Sequence, residues 1–351
     1  MVVFGLNEAA PTKTTQYTSY LLKLLPLVAF FVPLALLFLL NPMEPYNVSV
    51  QDSFQLMWKG RTFQLFFIWL IALEFILSWE TIKTKINLLN RVRMLAYAIA
   101  LALPTIYIVA EYYLGLNTAI TTLSLQSGVA WANSMPLAIE YLVFSALFLI
   151  IVYSAFGKQG LTGFALPALF VALVGLLYTI DNVFPYGEFT PFQLLVPTTA
   201  SLAASVLGWI GYTTVPGTDT LTGMPTLTVS NSAGTATFAI AWPCAGIESL
   251  LIFTAVALLF LKRMSISWKI KIGYFAFGAA ITYLINVLRI ATIFTLGVQY
   301  GTDSLQVSDF HFYYGPLYAM AWIVFYPIII IATTVAWRKI RKPQLKRLNP
   351  A

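Results

Sequence analysis

The sequence predicts an all-α polytopic membrane protein: about eight transmembrane helices, with both termini cytoplasmic, plus an outer-surface helix and a small β-hairpin before the sixth span. Three observations predict it. Of 351 residues, 59% are hydrophobic and 9% charged, whereas a soluble domain is about one-quarter charged. Mean hydropathy is +0.81. Several apolar runs reach the roughly 20 residues that a helix needs to cross a bilayer. A soluble enzyme and a disordered chain are excluded. Such unbroken runs also disfavour a β-barrel, whose strands alternate apolar with polar residues.

The spans are expected at 20–41, 62–79, 94–114, 136–156, 161–180, 246–261, 273–296 and 316–337. The first has no small-residue cleavage site after it and reads as a retained span rather than a signal peptide. A ninth segment, 192–211, is less apolar and carries Pro197, Thr198, Thr199, Ser201 and Ser205. Basic residues collect on the cytoplasmic side of membrane proteins. With eight spans, 17 of the 20 lysines and arginines lie inside, the exceptions being Lys59, Arg61 and Arg289. Were 192–211 to cross with the basic tail kept inside, seven of them would move outside, so it is expected to lie along the outer surface as a helix.

One membrane domain results. It has a five-helix part over 15–180, an extracytoplasmic helix and hairpin over 181–245, a three-helix part with the candidate chemistry over 246–337, and a basic cytoplasmic tail over 338–351. In the outer loop, Thr226–Ser230 and Thr235–Ile240 are rich in β-branched residues and flank Asn231–Gly234. That spacing predicts a hairpin with a four-residue turn. It leads into Trp242-Pro243-Cys244-Ala245-Gly246 and so aims Cys244 at the mouth of the sixth span.

Membrane depth selects the candidate residues. Cys244 sits at the outer end of the sixth span and His311 just before the eighth. Arg289 lies in the seventh, about seven residues or roughly 10 Å below the outer surface. Three groups from consecutive spans therefore share one leaflet. An arginine inside a span costs at least about 2.5–3.5 kcal/mol and faces a bundle interior or an aqueous cavity. Arg289 either forms a structural ion pair with Glu248, one turn after Cys244, or serves a site. Asn286 is on the same helical face and is expected to orient the guanidinium.

Cys244 is either inert packing or a nucleophile. It follows a proline at a helix start, where free amides and the helix dipole favour a thiolate. His311 is either a satisfied surface histidine or a group that takes and returns a proton. Glu74, Glu111 and Glu140 read as helix-to-helix hydrogen bonds or a proton path. Phe310, Phe312, Tyr313, Tyr314 and Tyr318 read as an interfacial aromatic belt or as substrate contacts. Asn47-Val48-Ser49 is a glycosylation triplet.

A single cysteine and a single histidine exclude an internal disulfide framework and a metal centre built from those residues. No cofactor is called for. The tail from Arg338 to Arg347 reads as an orientation signal, with no nucleic-acid partner. No phosphate-binding glycine loop, nucleophile-elbow serine or HExxH pair occurs.

The stretch Cys244-Ala-Gly-Ile-Glu-Ser249, the stretch Asn286-Val-Leu-Arg-Ile290, and His311 followed by Gly315 and an aromatic-rich last span resemble the exosortase/archaeosortase family of membrane cysteine transpeptidases. Gln193, the alanine-rich run to Gly208 and the hairpin before the cysteine are similar in layout. The resemblance covers about 180–337, and the CAGIES stretch and short tail lean toward the archaeal members. It implies a catalytic set of Cys244, Arg289 and His311, supported by Asn286, Glu248 and Gly246. Ala245 departs from it, since many relatives carry serine there; some archaeal relatives carry arginine in place of the histidine.

The implied substrates are secreted proteins with a C-terminal motif, an apolar helix and a basic tail, transferred to a lipid or another surface acceptor. The implied location is the plasma or inner membrane, multi-pass, with the active site facing the extracytoplasmic side. Two rivals are a transporter or channel built on Arg289, Glu248, Glu111 and Glu140, and a membrane acyltransferase using His311 and a carboxylate.

Overall fold

The computed structural model describes residues 13–39, 62–80, 82, 91–184, 188, 189, 191, 194–220 and 223–348. All eight apolar segments fold as helices: α1 (Lys13–Leu39), α2 (Thr62–Ser78), α3 (Arg91–Tyr113), α5 (Met135–Phe156), α6 (Ala165–Val183), α8 (Ile247–Leu261), α9 (Trp268–Tyr300) and α10 (Gly315–Leu348). A short helix the sequence reading missed, α4 (Leu116–Gln126), follows α3. Helix α7 (Val196–Trp209) lies within the segment expected to form a surface helix. Among the described residues, five helical segments are long and apolar enough to cross a membrane, and three more apolar helices are shorter. Pro26, Pro33 and Pro104 lie inside helices, as membrane helices tolerate when neighbours satisfy the freed carbonyls. The sequon at Asn47 and the residues Lys59, Arg61, Lys83, Lys85 and Gln193 lie outside the described residues.

Lipid is as apolar as leucine, so helices associate through close packing and polar ties rather than by escaping water. Two buried clusters do this work. The larger joins α1, α2, α3, α5, α6, α8 and α10 and is dense in aromatic rings. Phe30 meets Phe67 and Phe148 edge to face, with centroids 5.3 and 5.5 Å apart. Contacts of this kind contribute about 0.5–1.5 kcal/mol each. Polar ties add direction. Buried Glu74 on α2 accepts from Lys262 at 2.8 Å and Arg263 at 2.6 Å, just past α8. Glu140 on α5 accepts from Gln64 on α2. These two carboxylates serve as ties between helices.

The smaller cluster contains Val196, Ala203 and Leu207 of α7, Val229, Ala236, Trp242 and Ala245, with Val287, Ala291 and Phe294 of α9. It seats a three-stranded antiparallel sheet of β1 (Thr213–Thr218), β2 (Pro225–Asn231) and β3 (Gly234–Ala239), in the order β1-β2-β3. The hairpin turn corrects the sequence reading. Asn231 pairs with Gly234, so the turn has two residues rather than four. Asn231 Oδ1 accepts from the Ala233 amide at 2.8 Å, and this Asx contact tightens the turn. The strand β1 was also missed, because Pro216 and Gly217 within it are strand breakers by propensity. Pro216 is tolerated because β1 is an edge strand.

Gly278 fixes the crossing of α8, α9 and α10. A side chain there would strike Phe253 and come within 2.6 Å of the Tyr326 ring. We expect Gly278→Val to lower stability by about 1–3 kcal/mol through overpacking, read as an earlier thermal unfolding midpoint in detergent. Gly273→Val, where a Cβ meets nothing within 4 Å, serves as the control.

Candidate functional site

The site begins where β3 ends. Ile240 and Ala241 lead into a single 3-10 turn, Trp242–Ala245, with Pro243 at its start. Gly246 then takes φ +95° and opens α8 at Ile247. That left-handed conformation favours glycine. Space demands it as well, since a Cβ at Gly246 would lie 3.0 Å from Asn286 Nδ2. Cys244 therefore sits ahead of the helix rather than on it, half-buried.

Three helices anchor this turn. Asn286 on α9, 1% exposed, donates from Nδ2 to the Cys244 carbonyl at 2.7 Å. Trp242 donates from its indole to Asp181 Oδ1 on α6 at 2.5 Å. Thr199 Oγ1 on α7 lies 3.3 Å from the Ala245 carbonyl and 2.7 Å from the Tyr283 hydroxyl. An unsatisfied buried polar group costs about 1–3 kcal/mol, so each anchor resists displacement of the turn.

His311 arrives from the segment that joins α9 to α10. After α9 ends at Tyr300, the short helix Leu305–Asp309 runs into a π-helical turn, Phe310–Tyr314. Such wide turns recur at functional sites. His311 Nε2 lies 3.7 Å from Cys244 Sγ, and the imidazole stacks on Phe312 with centroids 4.5 Å apart.

Arg289 completes the group. Its Nη2 donates to the His311 carbonyl at 2.9 Å, and its charge lies within electrostatic range of Cys244 and Glu248. Gly315 makes room for it: a Cβ there would lie 2.8 Å from Arg289 Nε. Glu248 Oε1 accepts from Tyr178 at 3.1 Å.

Cys244, Arg289 and His311 thus meet, with Gly246 and Glu248 beside them. The expected role of Asn286 is corrected: it holds the cysteine carbonyl, not the guanidinium. Sharing a helical face with Arg289 did not settle what its amide reaches. Sequence reasoning also missed Thr199, Asp181, Tyr178 and Tyr283. Thr199 resembles any helical threonine bonded to the carbonyl four residues back, which it also does, at Leu195. Asp181 offered a fainter signal, as a carboxylate at the end of an apolar span. Among the described residues no three histidine, cysteine, aspartate or glutamate side chains gather closely enough to hold a metal ion.

The arrangement pairs a thiol with an imidazole at contact distance and sets a fixed cation nearby. That is the chemistry of an activated thiolate nucleophile. A family model described as transmembrane exosortase matches residues 57–330 and so includes all three residues. No curated protein and no solved structure matches the chain.

Because Cys244 is the sole cysteine, alkylation of the purified protein reports on this site alone. We expect His311→Ala and Arg289→Gln each to slow iodoacetamide alkylation at pH 7 by about tenfold, since each removes a partner that favours the thiolate. The difference should vanish at strongly alkaline pH, where every thiol is ionised. Equal rates at pH 7 would mean that neither group acts on the sulfur.

Proposed function

The chain belongs to the transmembrane exosortase family, and from that premise we propose that it is a membrane-embedded cysteine transpeptidase. It cleaves the C-terminal sorting signals of secreted or surface proteins through a thioester and passes the trimmed protein to a lipid or another surface acceptor. The observation that carries this reading is the 3.7 Å approach of Cys244 Sγ to His311 Nε2, with Arg289 bound to the backbone of that histidine.

The roles follow from the groups. Cys244, as thiolate, attacks the carbonyl carbon of the scissile peptide bond. The resulting oxyanion and the thiolate both gain from the guanidinium of Arg289, whose charge acts strongly in a site with little water. As the C–N bond breaks, His311 gives its proton to the departing amine, which leaves with the apolar helix and basic tail. His311 then takes a proton from the acceptor nucleophile as that atom attacks the thioester, and Cys244 is released as thiolate. Asn286, Thr199 and Asp181 act through the backbone and indole of the cysteine turn, so they are positioning residues.

The basic-residue asymmetry supports an extracytoplasmic site. A substrate helix held by its own basic tail on the cytoplasmic side then presents its motif level with Cys244. The transporter reading needs carboxylates free to line a path, whereas Glu140 accepts from Gln64 and Glu248 from Tyr178.

The test uses host membranes with a tagged surface protein that ends in an apolar helix and a basic cluster. Trimming should be lost in Cys244→Ala while the variant remains folded. Arg289→Lys should retain only about 1–10% of the rate, because lysine lacks the planar fork that reaches two directions at once. Trimming that persists in Cys244→Ala would exclude a cysteine mechanism and favour a His311-based enzyme.

A further inference from the structure

The sheet offers two edges, and they are not alike. The strand β1 has Pro216 and Gly217, the kind of residues that blunt an edge against pairing. At the other end, β3 reads Gly-Thr-Ala-Thr-Phe-Ala, without charge or proline, and among the described residues it pairs only with β2. An unblunted, uncharged edge invites another strand.

The register fixes which groups face that edge. Ile240 N donates to the Pro225 carbonyl at 2.8 Å, and hydrogen-bonded pairs alternate with non-bonded ones along an antiparallel ladder. The pairs Leu227 with Phe238 and Val229 with Ala236 are therefore bonded. Those of Ala239, Thr237 and Thr235 with Thr226, Thr228 and Ser230 are not. The amides and carbonyls of Thr235, Thr237 and Ala239 accordingly point away from β2. Their side chains are exposed, while Ala236 and Ile240 are buried.

The edge also leads to the nucleophile. A Cβ on Gly234 would lie 2.8 Å from the Val298 carbonyl. The Phe238 and Phe294 rings lie 5.2 Å apart, and Asn286 holds the Cys244 carbonyl. The strand thus descends α9 toward its N-terminus and reaches Cys244 five residues after Ala239.

We propose that the free edge of β3 binds the sorting motif of the substrate as an added strand, so that the backbone just before the scissile bond pairs with Thr235, Thr237 and Ala239. This deepens the transpeptidase reading and rests on it for the identity of the occupant. A peptide bond open to attack lies in extended chain, and strand addition supplies affinity through the main chain while side-chain pockets supply selectivity. Direction is fixed as well. A substrate running from an external domain into a membrane helix runs the same way as β3, so the pairing is parallel.

Two experiments test it in host membranes with the tagged surface protein. Thr237→Pro removes an outward amide without touching the bonds to β2. Thr228→Ala removes the hydroxyl contact of 2.8 Å between Thr228 and Thr237 and leaves the edge intact. We expect Thr237→Pro to cut trimming about tenfold, with the alkylation rate of Cys244 unchanged, and Thr228→Ala to trim as the parent does. Trimming by Thr237→Pro at the parent rate would overturn the proposal.

The second experiment does not depend on catalysis. In a Cys244→Ala background, Ala239→Cys is oxidised against single cysteines walked through the residues preceding the substrate helix. Strand pairing predicts disulfides at alternate positions, since side chains alternate between faces. Crosslinks at consecutive positions, or none, would overturn it. If alternate crosslinks form but Cys244→Ala still trims, the edge inference stands and the cysteine mechanism fails.

Discussion

A single hydrogen bond, 2.7 Å from Asn286 Nδ2 to the carbonyl of Cys244, joins the helix that carries the cation to the turn that carries the thiol. Asn286 is buried, so losing that bond would leave polar atoms unpaired where water does not compensate, at about 1–3 kcal/mol. Arg289 lies one helical turn further along the same helix and reaches the backbone of His311. Thiol, guanidinium and imidazole are therefore registered against α9. A slip of the cysteine turn along this helix would break the amide contact and separate sulfur from imidazole together.

The neighbouring elements exist to keep that register. Close approach is achieved with glycine at Gly246 against Asn286 and Gly315 against Arg289. The small sheet covers the upper part of α9, and α7 covers its flank through Val196, Ala203 and Leu207. The aromatic cluster of the remaining helices holds α8 and α10 in place. A loop alone would leave the cysteine mobile; a sheet pressed on one helix and a turn tied to three do not.

Much of this was legible in the sequence because the membrane makes polar residues conspicuous. All eight apolar segments fold as helices, and the β-branched runs beside Asn231 form the hairpin. Arg289 stood out because a charge in a span needs a reason, and Cys244 and His311 because they lie at the outer ends of neighbouring spans. The anchors were not legible. Asp181, Thr199 and Tyr283 are ordinary residues whose importance comes only from which backbone group or side chain they meet. Asn286 was singled out but given the wrong partner, because helical spacing says which face a side chain occupies and not what lies across from it. The π-helical turn at Phe310–Tyr314 has no pattern in sequence that separates it from an α-helical turn.

The most direct test of the central claim is to look for the covalent intermediate on the sulfur. The enzyme is isolated from host membranes in the presence of its substrate, quenched in acid, digested and analysed by mass spectrometry. The account predicts that the peptide containing Cys244 carries the C-terminal residue of the trimmed substrate as an acyl group, and that hydroxylamine releases it. Substrate acyl groups found on another residue, or continued trimming with the Cys244 thiol chemically blocked, would contradict it.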